Sequence, residues 1–252
     1  MPVLEHLLKV RDEKGAGFFL LVDPDRAEFD RVIKMAQAAA SCGVDAILAG
    51  GSFVSCADYD DRMAALRRAT DLPVILFPGN SRQVSPHADA VLFLSLISGR
   101  NPTYLIEEQV RGAPLIKAYG LEAIPTGYIL IESGTVTSVQ YVSGTMPIPR
   151  DKNDLAMAHA LAANYLGMKL VYLEAGSGAA RPVPEEMITA VAGYAGLPVI
   201  VGGGIQRPEE ASSRVRAGAS FIVVGTRLEH ETNLGYMAEM AEAVHSTVKA
   251  TI

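Results

Sequence analysis

Cysteine is scarce in this chain, and the two present, Cys42 and Cys56, do not form a metal-ligand spacing. Unpaired thiols of this kind suit a reducing, cytoplasmic setting. No apolar run approaches the roughly 18–20 residues that span a membrane. The N-terminal stretch MPVLEHLLKVRDEKG lacks the basic start and apolar stretch of a signal peptide. Basic residues are in the minority, 22 against 28 acids for a net charge of −6, and they are scattered. Nucleic acid is therefore not an expected partner. No linker, composition shift or low-complexity tract divides the sequence, so one domain over residues 1–252 is expected.

What the chain has is apolar content, 49% of residues, and a repeated alternation of short apolar runs with helical stretches. Runs at residues 17–22 (GFFLLV), 46–49, 72–77 (LPVILF) and 90–96 (AVLFLSL) read as the first four strands. A fifth follows at 127–132 (GYILIE). Three more lie in KLVYLEAGSG, LPVIVGGGI and ASFIVVGT. Helices are expected at 29–42, 57–70, 102–119 with a break at Gly112-Ala113-Pro114, 152–166, 184–195, 208–217 and 234–249. About eight βα units imply an α/β fold of the (β/α)8 TIM-barrel type, with an open doubly wound sheet as the other architecture. The link PGNSRQVSPHAD between the third and fourth strands has no helical pattern, so the regular helix should be missing there. Residues 136–142 alternate like a hairpin arm and, with 147–149, read as an insertion after strand five.

Three strand ends carry glycine and small hydroxyl residues: Gly176-Ser177-Gly178, Gly202-Gly203-Gly204 and Gly225-Thr226. Glycines let backbone N–H groups approach a ligand closely and form a concave anion site. In TIM barrels phosphate is often held after strands seven and eight. Any one loop is as easily a tight βα turn; three together point to phosphate. The helix at Pro208 is expected to aim N–H groups at the anion, and a side chain on Gly203 to fill the anion's space. Glu174 ends its strand beside one of these loops. Asp23 ends the first strand and Ser52 lies just past the second, a pair suited to Mg²⁺, which completes its shell with water and substrate phosphates. Asp25 reads as a helix cap.

Taken together, VDPD (22–25), GGS (50–52), PTGYILIESG (125–134), SGTMPIPRDK (143–152), YLEAGSG (172–178), VGGGI (201–205) and VGT (224–226) resemble the geranylgeranylglyceryl phosphate synthase family, which includes heptaprenylglyceryl phosphate synthases. The resemblance spans most of the chain. It implies a TIM barrel that has lost one helix after strand three. It also implies prenyl transfer from geranylgeranyl diphosphate to the C3 hydroxyl of sn-glycerol 1-phosphate, the first ether bond of archaeal-type membrane lipids. By the same resemblance Asp23 and Ser52 are Mg²⁺ ligands. The glycerol-phosphate contacts are Tyr172, Leu173, Glu174, Ala175, Gly176, Ser177, Gly178, Gly203, Gly204, Gly225 and Thr226. Glu174 would hold or deprotonate the attacking hydroxyl. A homo-oligomer is implied, with peripheral contact to membrane lipid products. Some members have lysine where this chain has Leu21, and others lysine where it has Arg26. Arg100 is a candidate diphosphate contact, though it is equally a surface arginine beginning a helix.

Two other classes compete. A sugar-phosphate isomerase, lyase or aldolase would need an acid–base pair or a Schiff-base lysine at strand C-terminal ends. The lysines, among them Lys117, Lys152 and Lys169, and the histidines His6, His87, His159, His230 and His245 all read as lying elsewhere. A non-catalytic phosphate-binding barrel would not place a carboxylate such as Glu174 against its anion.

Overall fold

The computed structural model describes residues 1–25, 28–230 and 234–246. Arg26 therefore lies outside the described residues, as does the end of the expected last helix. Eight parallel strands close into a barrel in sequence order: β1 (Gly17–Val22), β2 (Ala46–Ala49), β3 (Val74–Leu76), β4 (Ala90–Leu96), β5 (Glu122–Leu130), β6 (Leu170–Glu174), β7 (Val199–Gly202) and β8 (Phe221–Val224). Closure comes from β1, which pairs with β2 on one side and β8 on the other.

Both faces of every strand are covered, which is why the strands read as continuous apolar runs. Alternate residues fill the interior, including Phe19, Leu48, Leu92, Tyr172, Ile200 and Phe221. Their neighbours, such as Phe18, Leu20, Val171, Leu173 and Val201, pack against the surrounding helices. These are α2 (Phe29–Ala39), α3 (Tyr59–Arg68), α4 (Glu108–Tyr119), α6 (Asn153–Tyr165), α7 (Glu185–Tyr194), α8 (Pro208–Arg216) and α10 (Gly235–His245).

Two helices lie where the sequence leads to no expected element. α1 (Val3–Lys14) closes the floor of the barrel with the fully buried Leu7, and the Glu122 carboxylate accepts the N–H groups of Val3 and Leu4. Beside it the buried Asp45 accepts from Lys14 Nζ at 2.6 Å and the Phe18 N–H at 2.8 Å, and lies 2.8 Å from His245 Nε2. The other is the short α9 (Thr226–His230), which starts at the end of β8.

The link after β3 holds no regular helix, only a 3₁₀ turn at Ser81–Gln83. The expected break in α4 does not occur. A π turn at Thr103–Glu107 runs into α4, which continues through Pro114. The helix forgoes one backbone hydrogen bond there, and burial of Gly112 and Ile116 against the barrel holds its course. The expected hairpin is instead a helix, α5 (Ser138–Ser143). Val139, Val142 and Ser143 line one side of an apolar groove, and the buried Ser143 hydroxyl donates to the Val139 carbonyl at 2.6 Å, contacts that the helical turn brings to one face. The insertion rejoins the barrel where Ile148 bridges Ile131.

Candidate active site

Glu174 is the last residue of β6, in register with Leu130 of β5 and Gly202 of β7. The absence of a side chain at positions 202 and 203 makes room for it. A β-carbon on Gly202 would lie 2.3 Å from the Tyr172 hydroxyl and 3.1 Å from Glu174 Oε2; one on Gly203 would lie 2.3 Å from Oε1. The carboxylate is 5% exposed, and Oε1 accepts the Gly176 N–H at 2.6 Å. Burial pushes its pKa up to about 7, with the Gly176 hydrogen bond and the nearby Tyr172 hydroxyl offsetting part of the rise. The Tyr172 hydroxyl is buried and has no hydrogen-bond partner in good geometry. Its ring stacks on Phe77 (5.2 Å between centroids) and Tyr128 (5.4 Å).

A cavity of about 440 Å³ opens above this carboxylate at the C-terminal ends of the strands. Tyr172, Glu174, Ser177, Gly178, Gly203, Gly204, Gly225 and Thr226 line it on one side, Asp23 and Ser52 on the other. Ser177 Oγ and Thr226 Oγ1 lie 3.0 Å apart across the loops that follow β6 and β8. Leu173 and Ala175 pack instead into the layer between barrel and helices, as the two-residue strand period requires. Gly176 does not line the cavity. Its positive φ of 99° and the approach of Thr137, 2.4 Å from where a β-carbon would sit, are what exclude a side chain there.

Several expectations need correction. A side chain on Gly203 would strike Glu174 rather than fill the anion's space. The N-terminus of α8 has few amides to offer an anion: Pro208 has no N–H, the Glu210 N–H donates to the Arg207 carbonyl at 3.0 Å, and just before the helix the Glu210 carboxylate accepts from the N–H groups of Gln206 and Arg207. Asp25 does not cap α2; it accepts from Ser55 N, Ser55 Oγ and Cys56 N and so ties down the loop after β2. Arg100 turns back on its own loop, donating to the carbonyls of Gly99 and Ser98, and lines neither cavity. Leu21 does face the larger cavity. So does Arg227, which the sequence reading passed over although it directly follows Thr226.

A second, apolar cavity of about 120 Å³ adjoins the first, between β3, β4 and α4, where a regular helix is missing. Leu92, Leu94, Tyr104, Ile116 and Val142 are among its walls. Gly51, Ser52, Phe77, Tyr128 and Val139 line both cavities, so the two share a wall.

Fold and site together define a TIM barrel whose strand ends carry a glycine-lined, carboxylate-bearing cavity joined to an apolar groove. Residues 8–247 match the PcrB family, and the chain belongs to that family. It is 49% identical over 228 residues to the geranylgeranylglyceryl phosphate synthase of Spirosoma linguale, covering 89% of this chain and 92% of that one. To the enzyme of the same name from Korarchaeum cryptofilum it is 43% identical, covering 94% and 98%. Among solved structures, (S)-3-O-geranylgeranylglyceryl phosphate synthase from Thermoplasma acidophilum, in complex with sn-glycerol-1-phosphate, superposes with a TM-score of 0.92 at 37% identity, covering 98% and 99%.

Proposed function

We propose that the chain is a prenyltransferase that joins the C3 hydroxyl of sn-glycerol 1-phosphate to C1 of geranylgeranyl diphosphate. The C3 oxygen forms the ether bond as the bond from C1 to the diphosphate oxygen breaks. Pyrophosphate leaves, and the hydroxyl proton passes to Glu174. The observation that carries this reading is Glu174 itself, a buried carboxylate with a pKa of about 7 in a cavity that adjoins an apolar groove. Such a base is effective near neutral pH. Ser177, Gly203, Gly204, Gly225 and Thr226 would receive the glycerol phosphate on one side of it. The apolar groove would take the prenyl chain, with the diphosphate beside Ser52 at the shared wall.

The residues fit Mg²⁺. Asp23 and Ser52 line one side of the cavity, and the bare Cα of Gly51 leaves Asp23 room: a β-carbon would lie 2.8 Å from Oδ2. Among the described residues no group of three or more His, Cys, Asp or Glu could hold a metal, and one carboxylate with a hydroxyl is a donor set that leaves positions for water and phosphate oxygens. When bound, Mg²⁺ would neutralise the leaving diphosphate. Asp23 orients that end, Glu174 moves the proton, and the groove excludes water from C1.

A sugar-phosphate isomerase or lyase fits less well. No histidine or lysine lines the cavity among the described residues, and a polar sugar phosphate has no use for the groove. Residues 133–149 contain no Asp, Glu, Lys or Arg and expose Val136, Tyr141 (82%) and Met146 (87%) beside the groove. This supports contact of the insertion with a lipid surface that receives the product. Exposed Tyr165, Leu166 and Tyr194 on and just beyond α6 and α7 support a homo-oligomer. No helix among the described residues is long and apolar enough to cross a membrane, and a cytoplasmic setting is proposed with these contacts.

The test is incubation with each glycerol phosphate enantiomer and a ladder of prenyl diphosphates, with and without Mg²⁺. A prenyl ether of sn-glycerol 1-phosphate, formed only with Mg²⁺, is the expected product. No ether from any donor would overturn the reading.

A further inference from the structure

Gln83 sits in the 3₁₀ turn that stands in place of a helix after β3. Its side chain is 1% exposed and lines neither cavity. Nε2 donates to the Gly51 carbonyl at 2.8 Å, and Oε1 accepts the Gly51 N–H at 3.4 Å. A buried amide engaged with both backbone groups of one loop residue fixes the orientation of the two peptides that flank it.

The packing around it is close on every side. Gly51 backs onto the Asp23 carboxylate. A β-carbon on Gly79 would lie 2.6 Å from the Gly51 carbonyl oxygen, and one on Gly50 would lie 2.1 Å from that of Phe77. The turn is itself anchored: the Glu108 carboxylate on α4 accepts the Ser81 N–H at 2.6 Å, and the Asn80 side chain accepts that of Arg82 at 3.0 Å. At the far end of the loop, Asp25 holds Ser55 and Cys56. Ser52 lies between these two fixed points.

We infer that Gln83 is a positioning residue: from behind the loop it holds Gly51, and through it sets Ser52 and Asp23 for the metal and diphosphate. This rests on the reading of the site proposed above. The missing helix then has two consequences, opening the apolar groove and bringing Gln83 within reach of the loop.

Gln83→Met keeps length and removes both hydrogen bonds. Calorimetry with Mg²⁺ and inorganic pyrophosphate, and separately with sn-glycerol 1-phosphate, divides a positioning role from a general one. Loss of such an outer partner costs about 10- to 100-fold in metal affinity, so Mg²⁺-dependent pyrophosphate binding should fall by that factor while glycerol-phosphate binding holds within about twofold. The KM for the prenyl diphosphate should rise in parallel. Unchanged pyrophosphate binding, or equal loss of both ligands, would overturn the inference. If the Met variant does not fold, Gln83→Glu, which keeps shape and one acceptor but loses the donor, is read by the same criterion. Wild-type protein that binds pyrophosphate equally well without Mg²⁺ would remove the metal reading, and the contrast between the two ligands would still decide the role of Gln83.

Discussion

Gly203 lies so close against Glu174 that a β-carbon would stand 2.3 Å from Oε1, and the same atom would be 2.6 Å from the Gly176 N. The glycine loop after β7 and the carboxylate at the end of β6 are therefore one packed unit. The backbone at Gly203 also has φ of 81°, a conformation that costs an L-residue about 1–2 kcal/mol.

Gly203→Ala tests this unit. Displacing the carboxylate should lower kcat, and the strained φ should lower the melting temperature. An effect confined to the KM for glycerol phosphate would mean instead that the side chain meets the anion.

Asp23→Asn keeps the size of the side chain and an oxygen for the Asp25 N–H, which it accepts at 3.0 Å, but removes the charge. The variant should fold normally and lose turnover by about 10²–10³, the scale of one electrostatic contact to a developing charge. Near-normal rates at saturating Mg²⁺ would place the metal elsewhere.

Much of this arrangement was legible because barrel strands are buried on both faces. β1, β2 and β4 have the bounds their apolar runs predict, and Glu174 stood out as a charge ending such a run. The early part of β5 did not, because Glu122, Pro125 and Thr126 interrupt its apolar character, although Phe93 and Leu94 of β4 pair with Pro125 and Thr126. α5 was misread because six residues of Val, Ser, Gln and Tyr satisfy either period until a neighbour is present to bury one face. Gln83 gave no local signal at all. Its partner Gly51 is 32 residues away, and a lone polar residue in a loop is usually solvated.

Thr226→Val tests the proposed phosphate contact. The substitution keeps shape and removes the hydroxyl 3.0 Å from Ser177 Oγ. A hydrogen bond to a charged group contributes about 1.5–3 kcal/mol, so the KM for glycerol phosphate should rise about 10- to 100-fold with kcat little changed. An unchanged KM would move the anion away from the β6 and β8 loops.

Glu174→Gln bears on the chemistry most directly. Folding raises the pKa of this carboxyl from 4.5 to about 7, so between those values the folded protein holds a proton that the unfolded chain has lost. Wild-type stability should therefore fall as pH rises from 4.5 to 7, by about 3 kcal/mol if this group alone is considered. The glutamine variant cannot ionise and escapes that decline. It should be at least as stable as wild type at pH 8 and lose any such advantage near pH 5, as urea denaturation at the two values would read. Turnover follows the opposite sign. The wild-type rate should climb as pH passes about 7 and the base deprotonates. The variant should lose about 10²–10⁴ in kcat with glycerol-phosphate affinity little changed. A variant that turns over normally removes Glu174 from proton transfer. One that unfolds early and binds poorly at pH 8 would make the carboxylate a structural group that orders the Gly176 loop.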